Sequence, residues 1–331
     1  AYGDIYLYSL IVPIISISGI FLAYLNQQNK YKLLVDNGIS PSKASTMIFN
    51  VPEVTNPNML IIIGSIIFVI FTLAIGTSNI GFSQEIVFIG SFAIILTLLF
   101  KLSNELDLKA KKMLLGTAII IFAFRAMPGV GQGGSWFEID VLGFDQEFLS
   151  LLGLIASVLT ILGIFVLRPL MEKSSMTKLI VILSIAGSFF ILPSIAMFYG
   201  FHEFTSKITN GLVDARFIAI FNTALESPLG QVSMIPILAW IAQSAPNHLK
   251  ATFFAVLASF TNLALSASNL GTKYLNQIYV ITREVKINLG DIKTPADYSE
   301  LGTLLIIVCL LTLIVPIGVT FVIKKLRLIS Y

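Results

Sequence analysis

Nine apolar stretches, most of them close to twenty residues long, run through this chain of 331 residues. A helix needs about 20 residues to cross a bilayer core about 30 Å thick, so each stretch is a candidate membrane span. Charged residues make up only 12% of the chain and the mean hydropathy is +0.89, whereas a soluble domain is usually about one quarter charged. The sequence therefore predicts an all-α membrane protein with about nine transmembrane helices. The predicted spans are residues 5–25, 60–75, 86–102, 113–137, 148–167, 179–199, 217–242, 251–275 and 301–323.

Lysines and arginines are unevenly distributed between the loops. They concentrate after the first, third, fifth and seventh spans and in the C-terminal segment Lys324–Arg327. The positive-inside rule places such loops in the cytoplasm. We therefore expect an integral, multi-pass protein with a cytoplasmic C-terminus, in the plasma (inner) membrane or, as the alternative, in an organelle envelope. The net charge of +3 reflects these loop lysines and does not indicate binding to nucleic acid.

The number of spans indicates how the chain is organised. Many carriers consist of twelve helices in two halves, and each half is a pair of three-helix repeats. Nine spans that start outside and end inside correspond to three such repeats. We interpret residues 113–331 as a complete C-terminal six-helix half. Residues 1–112 are then a truncated N-terminal half with about three helices and a central cytoplasmic loop.

Arg125 lies within the fourth span, about 18 Å from its start at 1.5 Å per residue. A charged side chain at the bilayer centre costs about 2.5–3.5 kcal/mol, so its presence needs a reason. A guanidinium binds a carboxylate through two parallel hydrogen bonds, which makes Arg125 a candidate substrate-binding cation. The alternative is an arginine that pairs with an acidic residue or with backbone carbonyls of another helix and holds the fold together.

Pro128 and the glycines that follow it interrupt the same span. Proline lacks the amide donor and glycine costs about 1 kcal/mol in a helix, so we expect irregular backbone from Pro128 to Trp136. Such backbone is tolerated at membrane depth where it lines a water-filled cavity or is buried in protein. We therefore predict that Gln132 and Trp136 face the pathway. The alternative is a glycine-rich exit loop without ligand contacts.

The seventh span contains a second interruption, in which two prolines flank Gln231. Prolines kink a helix and free backbone carbonyls, and we place Gln231 among the substrate-binding residues. Glu226 precedes this kink. A carboxyl group in low-dielectric surroundings can bind and release a proton near neutral pH, so Glu226 is the predicted proton-coupling residue. The alternative, compatible with this role, is a salt bridge from Glu226 to Arg125 or Lys273.

Polar residues recur at helical spacing in the eighth span. Asn262, Ser266, Asn269 and Lys273 follow one another at intervals of four, three and four residues, which places them along one stripe of a helix. Serines commonly hold membrane helices together, so Ser266 is interpreted as a packing residue. We predict that Asn262 and Asn269 face the cavity and bind substrate, with helix packing as the alternative.

Proline, glycine and asparagine recur in a distinctive order in three separate helices. They belong to the segments Phe124–Pro128, Asp140–Phe144 and Pro228–Pro236 and to the series Phe254, Ala255, Ser259, Asn262, Ser266 and Gly271. This pattern resembles the folate-biopterin transporter family of the major facilitator superfamily. The resemblance implies a major facilitator-type helical bundle.

The function implied by this resemblance is secondary active transport of a folate- or pterin-like organic anion, coupled to protons, by alternating access. Folates carry carboxylates, which suits the role predicted for Arg125. The alternatives are a major facilitator carrier for a different organic anion and a helical membrane scaffold subunit that transports nothing. The expected partners are a small-molecule substrate, protons and the lipid bilayer, and the oligomeric state is left open.

Catalysis and metal binding are not expected. The two histidines and the single cysteine offer no metal-ligand cluster and no nucleophile–base pair at helical spacing. We therefore predict no enzymatic activity, no cofactor and no metal. Four acidic residues, Glu138, Asp140, Asp145 and Glu147, lie at the outer ends of two helices, where we expect them to be solvated. Asp145 and Glu147 also suit the N-terminus of a helix.

Overall fold

Helices account for most of the structure, a computed structural model that describes residues 10–49, 59–78, 80–244, 250–286 and 292–329. The predicted all-α membrane architecture is confirmed. In chain order the helices are α1 (Ile11–Asp36), α2 (Pro41–Phe49), α3 (Met59–Gly76), α4 (Ser83–Ser103), α5 (Leu108–Arg125), α6 (Gln132–Asp140), α7 (Gln146–Val166), α8 (Arg168–Lys173), α9 (Met176–Phe198), α10 (Phe201–Ile208), α11 (Ala215–Glu226), α12 (Met234–Ser244), α13 (Lys250–Ile278) and α14 (Leu301–Lys325). Between α13 and α14 the strands β1 (Val285–Lys286) and β2 (Ile292–Thr294) form a short antiparallel pair.

Several helices begin at an acidic side chain that accepts a hydrogen bond from the first turn. Asp107 caps α5 by accepting from the Ala110 N–H at 2.6 Å, and Asp145 caps α7 by accepting from the Phe148 N–H at 2.8 Å. Asp214 caps α11 in the same way. These residues directly precede apolar runs, so they fix where each run begins as a helix. The prediction that Asp145 suits a helix N-terminus is confirmed.

Within the described residues, six helices are long and apolar enough to cross a membrane: α1, α4, α7, α9, α13 and α14. The apolar part of α3, Ile62–Gly76, is shorter than these six helices. The first predicted span, residues 5–25, is displaced in the structure, because α1 continues to Asp36. Gly38, whose φ is +86°, follows the end of this helix. Residues 5–9 lie outside the described residues. The predicted spans 113–137 and 217–242 are each divided into two helices.

The fourth predicted span is interrupted between α5 and α6, where residues 126–131 have no regular structure. The expected irregular backbone is therefore confirmed around Pro128. The expectation of irregular backbone is wrong for residues Gln132–Trp136, because they form the first turns of α6. Gly133 belongs to these turns, and a Cβ atom there would lie 2.7 Å from Cδ1 of Ile281. This glycine allows close packing within a helix and does not break the helix.

The seventh predicted span is interrupted between α11 and α12 by a 3-10 turn at Ser227–Leu229. Helix α7 holds this interruption in place. The Thr160 hydroxyl of α7 donates to the Ser227 carbonyl at 2.9 Å. Gly163 of α7 approaches so closely that a Cβ atom there would lie 2.2 Å from the Pro228 carbonyl oxygen. The kink predicted from the two prolines is thus confirmed, and the Ser227 carbonyl in it accepts both the Gly230 N–H, at 3.0 Å, and the Thr160 hydroxyl.

The main apolar core lies between α4, α5, α12 and α13, and it includes the buried residues Leu99, Ile121, Ile241 and Leu257. Helices α9 and α14 pack directly against each other. At their contact the buried Ser188 hydroxyl donates to the Cys309 carbonyl at 3.2 Å. Small hydroxylated residues of this kind let two membrane helices approach closely.

The chain divides into two compact units, residues 1–57 and residues 58–331. The first unit contains α1 and α2. The second contains α3 to α14 and all of the site described below. The predicted boundary between a truncated N-terminal half, 1–112, and a complete six-helix half, 113–331, falls inside the second unit and stays a prediction.

Candidate functional site

A cavity of about 1070 Å³ lies between α4, the start of α6 and α13. Its walls contain several amide and hydroxyl side chains. They are Gln84, Gln132, Asn269, Asn276, Ser83, Ser91, Ser266 and Thr272. Phe88, Leu263 and Leu270 add apolar surface. In a bundle of membrane-spanning helices, a hollow with this many hydrogen-bonding groups is suited to a polar solute.

The polar stripe predicted on the eighth span forms one wall of this cavity. Ser266, Asn269 and Lys273 of α13 all line it. Their spacing brings them to one face of the helix, as the sequence predicts. Asn262 is exposed but does not line the cavity. The structure thus places Asn269 on the cavity wall. Asn262, seven residues earlier in α13, lies on the surface of the helix outside the cavity.

Lys273 forms an ion pair with Glu85, which lies in the first turn of α4. The Lys273 ammonium donates to Glu85 Oε1 at 2.7 Å, and the Tyr274 hydroxyl donates to the same oxygen at 2.7 Å. The exposed fraction of the side chain is 35% for Lys273 and 15% for Glu85. The second oxygen, Oε2, is buried and accepts no hydrogen bond. Among the described residues that line the cavity, Lys273 is the only charged one.

A second stripe of α13 holds the irregular segment between α5 and α6. The Ser268 hydroxyl donates to the Met127 carbonyl at 2.6 Å, and the Gly129 N–H donates to Thr272 Oγ1 at 2.8 Å. The Asn276 amide donates to the Val130 carbonyl at 3.1 Å. Backbone groups freed by the interruption are therefore satisfied by a neighbouring helix, which is the condition for irregular backbone at membrane depth.

Gly131 joins this held segment to α6. Its φ of +77° lies in the left-handed region, and a Cβ atom at this position would lie 2.8 Å from Nδ2 of Asn276. Both facts favour glycine. Gly131 and Gln132 line the cavity, so the N-terminal end of α6 faces it. Gln132 therefore lines the cavity, and its predicted role in substrate binding stays a prediction. Trp136, one turn further along α6, is half-buried and does not line the cavity.

Arg125 is half-buried at the C-terminal end of α5 and does not line the cavity. Its Nη1 donates to the sulfur of Met234 at 3.3 Å, and its Nε is buried without a hydrogen-bond partner. The structural alternative required an acidic partner or backbone carbonyls. Within the described part of the chain, Arg125 contacts neither at hydrogen-bond distance.

Glu226 and Gln231 flank the second interruption. Glu226 is exposed, Gln231 is half-buried, and neither lines the cavity. The alternative salt bridge from Glu226 to Arg125 or Lys273 is not formed, because Lys273 pairs with Glu85 and Arg125 contacts Met234. The proton-coupling role of Glu226 stays a prediction.

Glu85 is the residue that the sequence interpretation missed. It is the only acidic residue between residues 59 and 104, and it directly precedes an apolar run. A lone carboxylate at the start of a membrane span is itself a signal, because it needs a partner on another helix. Lys273, the only lysine of the eighth predicted span, 251–275, is the matching cation.

A second cluster lies outside the spans, at the end of the bundle that carries β1 and β2. Arg283 donates to both carboxylate oxygens of Asp140, at 2.7 and 2.8 Å, and the Tyr298 hydroxyl donates to Oδ2 at 2.7 Å. The Arg283 guanidinium and the Tyr298 hydroxyl hold the pKa of Asp140 below its usual range. Burial, together with the bond to Asp140, raises the pKa of Tyr298 to about 12. Asp140 is exposed, as expected, but it also forms an ion pair and a hydrogen bond that the sequence does not indicate.

Asp145 also forms an ion pair, with Arg216. Arg216 donates to its Oδ2 at 2.7 Å while Oδ1 caps α7.

In the described part of the chain, no three histidine, cysteine or acidic residues come together in a way that could hold a metal ion. The geometry at the cavity is therefore that of a binding site with amides, hydroxyls and one ammonium group.

Comparison with known proteins gives one family and one curated relative. Residues 103–330 match the BT1 family. A folate-biopterin transporter from Synechocystis sp. is 22% identical over 154 residues, which are 46% of this chain and 30% of that protein. The chain thus spans about a third of the length of the curated relative that it matches. No solved structure matches. Since the family match covers more than half of the sequence, this multi-pass membrane chain belongs to the BT1 family.

Proposed function

We propose that the protein is a secondary transporter that moves a folate- or pterin-like organic anion across the membrane by alternating access. Membership of the BT1 family supports this proposal, and so does the similarity to a protein named as a folate-biopterin transporter. The observation that carries it is the cavity between α4, α6 and α13. A solute carrier needs a polar hollow inside an apolar bundle, and this chain has one.

The size of the cavity fits a substrate of this class. Its volume of about 1070 Å³ is slightly above the range of about 300–1,000 Å³ that is usual for small-molecule sites. Pterin rings carry several hydrogen-bond donors and acceptors, which the amides of Gln132, Asn269 and Asn276 can match. Phe88 offers an aromatic face on which a flat ring can stack.

The interrupted helices support an alternating-access mechanism. Carriers often bind their substrates where spanning helices are discontinuous. Here one interruption, residues 126–131, adjoins the cavity through Gly131. The other, at Ser227–Leu229, is held by α7. Under the orientation with a cytoplasmic C-terminus, Lys273 lies at the opposite, outer side of the bundle, because α13 runs outward from Lys250.

The remaining predicted site residues belong to this proposal as well. We place Gln132 and Asn269 in direct contact with substrate. Arg125, Trp136, Gln231 and Asn262 are proposed substrate-binding residues that lie outside this cavity. Glu226 is the proposed proton-coupling residue.

The decisive experiment measures uptake of radiolabelled folate and of biopterin by the full-length protein in transport-deficient cells. Uptake is compared with and without an imposed proton gradient. We expect Q132A and N269A to lower uptake about fivefold or more, because each removes a hydrogen-bonding amide. Q277A, on an exposed position of α13, is the matched control and is expected to behave like the wild type.

The outcomes separate the functions that compete. Absence of uptake of both compounds by protein present at the cell surface would refute the proposal. Inhibition of uptake by unrelated organic anions at lower concentrations than folate would indicate a different substrate on the same fold. Loss of folded protein in Q132A and N269A, without any uptake by the wild type, is the result that a scaffold subunit predicts.

A further inference from the structure

We propose that Lys273 binds the carboxylate of the transported anion, and that Glu85 is an internal counter-ion which the substrate carboxylate displaces. This inference rests on the proposed function and specifies how the cavity recognises charge. Nothing in the spacing of the sequence pairs these two residues, since they are separated by 188 positions.

The position of Lys273 is the first observation. It is the charged group among the described residues of the cavity wall, where it follows Asn269 by one helical turn. An ammonium group has three N–H donors, and Lys273 uses one of them, toward Glu85 Oε1. The other donors are available to a ligand in the cavity. A neutral amide wall with a single cation is the arrangement that an anionic substrate requires.

The bonding of Glu85 is the second observation. Oε1 accepts from both Lys273 and Tyr274, while Oε2 is buried and accepts from nothing. When Lys273 turns toward a substrate carboxylate, the Tyr274 hydroxyl still donates to Glu85. The carboxylate of Glu85 is therefore not left without a donor, which lowers the cost of releasing the lysine.

The third observation concerns the elements that the pair connects. Glu85 belongs to α4 and Lys273 to α13, so the ion pair links helices from the two predicted halves of the chain. A partly buried ion pair contributes little net stability, because desolvation offsets its attraction. Its more useful property is that a second carboxylate can compete for the lysine. Substrate binding then releases a contact between α4 and α13.

The test is direct binding of two probes to the purified full-length protein in lipid nanodiscs at neutral pH. Folate carries carboxylates, and biopterin has a pterin ring without one. We expect K273Q to weaken folate binding about tenfold or more, because a charge-assisted hydrogen bond is lost. Biopterin affinity is expected to change by less than about twofold, because its contacts are with neutral groups. K207Q, an exposed lysine on α10, is the matched control.

Two further variants separate recognition from a structural role. E85Q removes the competing carboxylate, so folate is expected to bind about threefold tighter or more, with E203Q as its control. The charge swap E85K/K273E keeps an ion pair between α4 and α13 but takes the cation out of the cavity wall. It is expected to fold like the wild type and to lose folate affinity.

Each result is decisive. If the wild type binds neither probe, the proposed function fails and this inference fails with it. If the wild type binds folate and the charge swap binds it equally well, the inference alone is refuted and the pair is structural. Equal weakening of folate and biopterin in K273Q would show that Lys273 does not recognise the carboxylate. Weaker folate binding in E85Q would refute the displacement of Glu85.

Discussion

The Gly129 N–H donates to Thr272 Oγ1 at 2.8 Å, and this bond ties the irregular segment 126–131 to α13. Thr272 in turn donates to the Ser268 carbonyl at 2.9 Å. A single hydroxyl therefore supplies an acceptor for the loop and satisfies its own helix. We expect T272V to lower the free energy of unfolding by about 1 kcal/mol, because the Gly129 amide loses its acceptor. Thermal unfolding of the purified protein measures this, and T272S, which keeps the hydroxyl, should match the wild type.

Gly131 gives a second stability prediction. We expect G131A to destabilise the protein by about 1–2 kcal/mol, since an alanine in the left-handed region is strained and its Cβ would lie 2.8 Å from Asn276 Nδ2. Its neighbour Gly134 has ordinary space around it, with Val130 Cγ1 at 3.4 Å. G134A is therefore the control, and it is expected to be neutral or slightly stabilising because alanine favours a helix. Equal unfolding midpoints for the two variants would contradict the strain argument.

Among the described residues, Arg125 donates to the sulfur of Met234 and its buried Nε has no hydrogen-bond partner, so we propose that an anion completes its hydrogen bonding. We expect R125A to reduce folate uptake about tenfold or more at normal surface expression, because a charge-assisted contact is lost. R125K keeps the charge without the planar fork and should retain part of the uptake. Full uptake by R125A would remove Arg125 from the substrate path.

Glu226 is tested by the dependence of uptake on external pH. A glutamine has nearly the same shape as a glutamate but cannot carry a proton, so E226Q should lose the pH dependence that the wild type shows. Glu203, exposed on α10, provides the control variant E203Q. A pH profile for E226Q that coincides with that of the wild type would reject the coupling role.

The cluster of Asp140, Arg283 and Tyr298 predicts an acid-sensitive contribution to stability. The pKa of Asp140 is lowered in the folded protein, chiefly by the hydrogen bonds from Arg283. Its contribution is therefore present above the unfolded pKa of about 3.9 and is lost as the pH falls toward the lower folded value. We expect D140N to be less stable than the wild type by about 1 kcal/mol at neutral pH.

The difference between D140N and the wild type should shrink as the pH is lowered below about 4, because the wild-type carboxyl binds a proton there in the unfolded state and binds one in the folded state only at lower pH. Unfolding midpoints measured across pH for both proteins check this. E300Q, at an exposed position near the same end of the bundle, should follow the wild type throughout. A constant difference between D140N and the wild type at all pH values would show that the pair does not act through the charge of Asp140.

The sequence predicts the helices and the groups along them better than the contacts between them. Apolar length identifies the spans, and the interval from Ser266 to Lys273 correctly places three side chains on one wall. Pro128 marks an interruption for a local chemical reason, the missing amide donor. These features depend on residues that are close together in the chain.

The remaining features depend on partners that are distant in sequence. Glu85 and Lys273 meet because α4 packs on α13, and no local spacing encodes that. Gly133 was misread for the same reason, because the glycine accommodates Ile281 from a loop that follows α13. The partners of Asp140 could not be predicted from local sequence, because Arg283 and Tyr298 lie beyond four further predicted spans. Tertiary packing decided each of these cases.

Helix α13 both lines the cavity, through residues that include Ser266, Asn269 and Lys273, and binds the segment 126–131 through Ser268, Thr272 and Asn276. Thr272 and Asn276 do both, because they also line the cavity. Because the hydrogen bonds to this segment follow one side of α13, a rotation or translation of the helix would break them unless the segment moved with it. Any reshaping of the hollow by α13 must therefore carry the linker before α6 along, so that the two behave as one mechanical piece.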